Sequence, residues 1–110
     1  MFLLSQRVRP HFAVIDGFEG MEGNGPTRGT PVDHRVALAG PDVVSVDRIG
    51  LELMGIDYAD VGYLQWCSAA GIGQGDRSKI EIIGADPSQH VRNYRRHDNI
   101  AWQMKWKEKG

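Results

Sequence analysis

The fold is decided by residues 11–54, HFAVIDGFEGMEGNGPTRGTPVDHRVALAGPDVVSVDRIGLELM. The stretch opens with a short apolar run that ends at Asp16, and this run predicts a buried strand over residues 11–16. Five glycines and two prolines follow in residues 17–32, a composition that predicts a long irregular loop. Residues 35–39 are apolar again and predict a second strand.

The rest of the chain predicts two helices and one more strand. Asp42 can cap the first free amides of a helix that runs to Met54, and Gly55 suits the left-handed position after it. Helical spacing of apolar residues predicts a second helix over residues 60–71, and residues 79–83 predict a third strand. The expected fold is α/β, with a small mixed or parallel sheet and two main helices. Its uncovered sheet edges indicate part of a larger domain, or a partner chain.

The charge pattern divides the chain into a domain and a tail. Residues 1–91 carry 7 basic and 12 acidic side chains, whereas residues 92–110 carry 6 and 2. Basic and aromatic residues interleave in the tail, as in weak nucleic-acid binders. Apolar and polar residues also alternate from Ile100 to Trp106, which predicts a strand packed on the domain. Such a strand would bury the aromatic rings, so packing is favoured over nucleic-acid binding.

Length and composition exclude several classes of protein. A chain of 110 residues with 41% hydrophobic residues fits one modest domain. Its single cysteine rules out an internal disulfide and a four-thiolate iron–sulfur cluster held by this chain alone. Apolar runs are far shorter than the roughly 20 residues of a membrane span, so no membrane insertion is expected and a cytoplasmic location is the default.

The Gly-rich stretch holds the densest set of candidate binding residues. In open α/β sheets, ligands bind beyond the carboxyl ends of strands. Asp16, Glu19 and Glu22 offer carboxylate oxygens, the ligands that Mg²⁺ and Ca²⁺ prefer, and Asn24 and Thr27 add neutral oxygens. In the alternative interpretation, the glycines only permit tight turns and the acidic side chains are solvated.

Other candidate residues carry weaker signals. Asp47 lies about one turn into the first predicted helix among apolar residues, where a carboxylate needs a partner or a raised pKa. It could tie down the Gly-rich stretch or line a site. The four histidines lie in separate segments without metal-ligand spacing, and Cys67 occupies a helical core position, so structural roles are expected for all five residues.

Several motifs resemble the family catalogued as domain of unknown function 362. They share the family's order and approximate spacing over about residues 8–84: Asp16-Gly17, MEGNGP at 21–26, GTP at 29–31, VALAGPD at 36–42, Val46-Asp47, LMGID at 53–57, Tyr63-Leu64, GIG at 71–73 and IEIIG at 80–84. The resemblance implies an α/β domain without an established reaction, of which this chain corresponds to the later part. It implies that the matching positions are the best candidates for a site, namely Asp16, Glu22, Asn24, Gly25, Asp42 and Asp47.

The resemblance also implies that the domain sometimes occurs beside ferredoxin-type iron–sulfur modules. This chain has no cysteine cluster, so that association does not transfer to it.

Two functions remain open from the sequence. In the first, the chain is a ligand-binding or catalytic module for a divalent metal or a small polar metabolite. Asp16 and Glu22 would then act as ligands or general base, while Asn24 and Thr27 orient the substrate. In the second, it is a non-catalytic accessory or interaction module of a larger protein, which could be one associated with iron–sulfur modules. It would then dock on a redox partner, another chain or another copy through its sheet edges and tail. Whether it is an enzyme stays open.

Overall fold

The computed structural model describes residues 1–109, in which two strands and four α-helices are joined by short 3-10 turns. The strands are β1 (Ala13–Asn24) and β2 (Arg28–Gly40). The helices are α1 (Phe2–Ser5), α2 (Val43–Met54), α3 (Gly62–Ala69) and α4 (Ile100–Gln103), which continues as a 3-10 helix over Met104–Lys109. Other 3-10 turns lie at Tyr58–Asp60, Arg77–Lys79 and Pro87–Gln89. The predicted α/β class is confirmed.

The stretch predicted to be an irregular loop is a long β-hairpin. β1 and β2 pair antiparallel, from Ala13 opposite Gly40 to Asn24 opposite Arg28. The loop prediction for residues 17–32 and the mixed or parallel sheet are therefore wrong. Local glycine content disfavours a strand, but pairing at eleven positions with the neighbouring strand outweighs it, because strand propensity depends strongly on context.

A bulge interrupts the hairpin in its middle. Gly17 pairs with Val36 and Glu19 with Asp33, so Phe18 faces two residues of β2. Arg35 adopts a φ of 57° there, and its guanidinium lies over the Phe18 ring, 5.6 Å from the centroid. Bulges change the direction in which nearby side chains point. At this bulge, the side chain of His34, next to Arg35, is buried.

Helix α2 forms as its end signals predict. The Asp42 carboxylate accepts hydrogen bonds from the amides of Val44 and Ser45, and Gly55 takes the left-handed conformation with a φ of 69°. One face of the helix is buried against the hairpin and α3. The buried residues of this face are Val44, Val46, Ile49, Gly50 and Leu53.

The second predicted helix is confirmed as α3, although it begins two residues later than expected. Its Leu64 and Cys67 pack against Val44 of α2 to form the buried core. Leu64 is the most deeply buried large side chain, with 1% of its surface exposed. Within residues 1–109, no helix combines the length and the apolar character that crossing a bilayer requires.

The third predicted strand and the strand predicted in the tail are both wrong. Residues 81–83 form no regular element and pair with no strand. The tail is helical over residues 100–109. There the Trp106 ring packs edge-on against Trp66, with the centroids 5.5 Å apart, and these tertiary contacts override the alternating pattern.

Candidate functional site

The three carboxylates expected to bind a metal are spread along β1. A strand rises about 3.3 Å per residue, which places Asp16 and Glu22 about 20 Å apart. Ligands of one Mg²⁺ or Ca²⁺ lie within about 2.6 Å of the ion. In residues 1–109, no three His, Cys, Asp or Glu side chains form a group that could hold a metal ion. Asp16, Glu19 and Glu22 therefore do not converge on a common ion.

The Asp16 side chain makes a hydrogen bond within its own strand. Its Oδ1 accepts a hydrogen bond from the Phe18 amide at 3.1 Å, beside the bulge. The side chain is otherwise exposed.

Glu22 and Asn24 hold the segment formed by residues 92–98. Glu22 Oε2 accepts from the Arg95 amide at 2.8 Å. Asn24 donates to Asp98 Oδ2 at 2.7 Å and accepts from the Asp98 amide at 2.9 Å. The hairpin tip thus fastens residues 92–98 through polar contacts between residues more than 70 positions apart in the chain.

The remaining candidates of the Gly-rich stretch lie in its turn. Gly25 precedes Pro26 through a cis peptide bond, and a Cβ on Gly25 would stand 3.0 Å from the sulfur of Met21. Thr27 is exposed. Neither residue brings a further polar group toward Glu22 or Asn24.

Asp47 joins the two main helices. Its Oδ2 accepts a hydrogen bond from the Tyr63 hydroxyl at 2.9 Å. Burial, reinforced by the Asp47 charge, raises the pKa of Tyr63 above its ordinary value, so the phenol stays protonated and remains a donor. Asp47 therefore anchors α3 on α2, a partner that the sequence did not identify.

His34 is the one buried polar side chain found among the described residues, and its role is structural as expected. Its Nε2 lies 2.6 Å from the carbonyl oxygen of His90 and must donate to it, since a carbonyl only accepts. Its Nδ1 lies 2.8 Å from the Tyr94 hydroxyl. The imidazole ties β2 to the segment that follows residue 89.

A cavity of about 400 Å³, which we call the tip pocket, lies beneath the end of the hairpin. Its walls come from the hairpin tip, the end of α2, the turn before α3, residues 94–97 and the C-terminal helix. Its apolar lining comprises Met21, Met54, Ile56, Val61, Ile100, Met104 and Trp106. Its polar lining includes Glu22, Asp60, Arg95, Arg96, His97 and Gln103.

A second cavity of about 700 Å³, which we call the β2 groove, follows the outer edge of β2. One wall is residues 35–40 of β2, the opposite wall is residues 79–83, and α2 contributes Val46, Ile49 and Leu53. No local motif marks the tip pocket or the groove. Both arise from segments that meet only in the folded chain.

The contact between the tip and residues 92–98 leads to a direct prediction. We expect Asn24→Ala to lower the local stability around Asp98 by about 1 kcal/mol, because two hydrogen bonds are lost. Hydrogen exchange of the Asp98 amide, followed by NMR, measures the change. Thr27→Ala in the same turn is the matched control. Equal acceleration in both variants would show that Asn24 does not hold the segment.

Comparisons with known proteins found a family model and a relative that match the first half of the chain. Residues 1–52 match the family model described as domain of unknown function DUF362. The thylakoid-associated protein sll1697 of Synechocystis sp. strain PCC 6803 is 30% identical over 57 residues, or 52% of this chain. That match spans 18% of the relative's length. No solved structure matches. The motifs that suggested the resemblance continue to Gly84, beyond the family match. Residues 1–52 are therefore similar to the DUF362 family, in agreement with the resemblance of their motifs.

Proposed function

We propose that the chain is a non-catalytic interaction module that binds an extended polypeptide segment along the outer edge of β2. The observation that carries the proposal is the row of unpaired backbone groups on that edge. β2 has one strand partner, β1. Within residues 1–109, no backbone hydrogen bond joins residues 28–40 to a segment outside the hairpin. An exposed edge of this kind is a template for an added strand, and strand addition is a recurring mode of peptide recognition.

The opposite wall of the β2 groove supports the same occupant. Residues 81–85 make no backbone hydrogen bonds in the described part of the chain. Ile80 and Ile82 are half-buried while Glu81 and Ile83 are exposed, which is the alternation of a strand. A strand inserted in the groove would meet unpaired amides and carbonyls on both sides. The predicted third strand would then pair with the inserted segment.

The residues on the floor of the groove indicate which side chains the bound segment should carry. Val46, Ile49 and Leu53 of α2 line the floor and are 5–7% exposed. Side chains of a strand alternate between its two faces. The segment should therefore carry apolar residues at every second position, facing α2.

The function expected at the Gly-rich stretch gains less support. Glu22 and Asn24 direct their polar atoms to residues 92–98. The spacing of Asp16 and Glu22 along β1 prevents both from reaching one small ligand. A divalent metal or a polar metabolite bound by this set is therefore the weaker alternative.

A synthetic eight-residue peptide of alternating valine and threonine, with a lysine at each end, tests the module. We expect saturable binding that slows hydrogen exchange of backbone amides in residues 35–40 and 80–83, while β1 is unchanged. Light scattering of the chain alone tests whether a second copy of the chain supplies the inserted strand. A dimer with the same protected amides would identify that copy as the occupant.

One residue of the groove and one residue outside it provide a pair of variants. Ile82→Thr should weaken peptide binding about tenfold, because it removes apolar surface that faces the groove. Val14→Thr, on β1 and outside the groove lining, should leave binding unchanged, since Val14 is 68% exposed. The proposal is wrong if two results are obtained together. Saturating peptide does not change the hydrogen exchange of residues 35–40 and 80–83, and the chain alone forms no dimer in which these amides are protected.

A further inference from the structure

The tip pocket has a lining that suits a ligand of its own, separate from the β2 groove. Met21, Met54 and Met104, three of the chain's four methionines, contribute to its walls. Methionine side chains are unbranched and flexible, so they adapt to apolar ligands of varied shape. The volume of about 400 Å³ lies within the range of about 300 to 1,000 Å³ typical of small-molecule sites.

The acidic groups of the tip pocket already have partners. Glu22 accepts a hydrogen bond from the Arg95 amide. Asp60 forms ion pairs with Arg96 at 3.1 Å and with Lys107 at 2.7 Å. Neither carboxylate is left to bind a cation inside the pocket.

Two donors in the lining remain available to a ligand. In the described part of the chain, the Arg95 guanidinium forms no ion pair, and it donates only to the Thr30 hydroxyl at 3.3 Å. His97 Nδ1 accepts from the Asn99 amide at 3.1 Å. In the neutral ring, the proton is therefore on Nε2, which is a second donor.

We propose that the tip pocket binds a small organic acid with an apolar body. Its carboxylate pairs with Arg95 and accepts from His97, and its apolar body lies among the three methionines against Trp106. Arginine suits this role because its planar guanidinium can bind both oxygens of a carboxylate. The adjoining apolar wall gives the site a preference for amphiphilic acids over small hydrophilic ones.

Octanoate, octanol and octylamine are three probes that share an apolar chain and differ in their charge. Their binding is followed through the NMR signals of ¹³C-labelled methionine methyl groups. We expect octanoate to shift the signals of Met21, Met54 and Met104, and to bind at least tenfold more tightly than octanol or octylamine. Met1, which is 82% exposed, is an internal control that should not move.

Substitution at two arginines separates the proposed contact from general electrostatics. Arg95→Gln should weaken octanoate binding about tenfold and leave octanol binding unchanged. Arg92→Gln removes the same charge from an exposed residue outside the lining and should have little effect. Equal affinities for octanoate and octanol would overturn the proposal. So would equal losses in the two variants, or shifts of Met1 that match the other methionines.

Discussion

Replacing Leu64 with alanine is expected to lower the free energy of unfolding by about 3 kcal/mol, the middle of the range for a buried leucine truncated to alanine. Leu64 is 1% exposed and packs with Val44 and Cys67 between the two main helices. Removing its side chain takes apolar surface out of the contact and leaves a cavity, since the surrounding helices relax only partly. Urea unfolding followed by circular dichroism measures the change.

The size of this effect matters because the core is small. Domains of this length are stable by about 5 to 15 kcal/mol, so the loss removes a large fraction of the total. Leu3→Ala is the matched control, because Leu3 is 77% exposed and its truncation should change stability by less than about 0.5 kcal/mol. Similar midpoints for the two variants, with equal denaturant slopes, would contradict the assignment of Leu64 to the core.

Helix α2 could be predicted from the sequence because its determinants are local. Asp42 supplies the oxygen for the first amides, and Gly55 supplies the left-handed residue at the other end. The apolar face between them follows helical spacing. All of these features lie within fourteen residues of one another, so no tertiary contact was needed to recognise them.

The hairpin cannot be predicted in the same way, because its determinants are not local. Gly20 and Gly23 disfavour a strand by themselves, and so does Pro31, which nevertheless pairs with Met21 across the hairpin. Cross-strand pairing decides the conformation, and pairing cannot be read from the composition of one segment. The same reason explains residues 79–83, which have the pattern of a strand but pair with no strand.

The candidate site was predicted only in part. Glu22 and Asn24 do lie at the end of the hairpin beside a cavity, but their partners are Arg95 and Asp98, more than 70 residues away in the chain. The sequence identifies Asp60 only as the expected start of a helix. Nothing near it in the sequence shows that it pairs with the C-terminal residues.

Asp60→Asn is expected to detach the C-terminal helical segment from the rest of the protein. The Asp60 carboxylate binds Lys107 at 2.7 Å and Arg96 at 3.1 Å, and its main-chain oxygen accepts from the Trp106 indole at 3.2 Å. Asparagine keeps the shape but loses the charge that holds both cations. The NMR signal of the Trp106 indole N–H should move toward that of an exposed indole, such as the one of Trp102.

The same contact predicts a dependence on pH. The hydrogen bond from Lys107, assisted by the one from Arg96, holds the pKa of Asp60 below its usual value. A carboxyl whose pKa is lower in the folded state stabilises that state above its unfolded pKa of about 3.9 and loses this contribution as the pH falls through the lowered value. The Trp106 indole signal should therefore be constant from neutral pH to about pH 4 and change below it.

The pH experiment needs a control, because Glu22 and Asp98 also hold the C-terminal part of the chain. The Asp60→Asn variant separates their contribution from that of Asp60. A transition present in the wild type and absent from the variant belongs to Asp60. An identical transition in both proteins would mean that the acid sensitivity arises at the hairpin tip, and that the pairs made by Asp60 contribute little to the docking of residues 100–109.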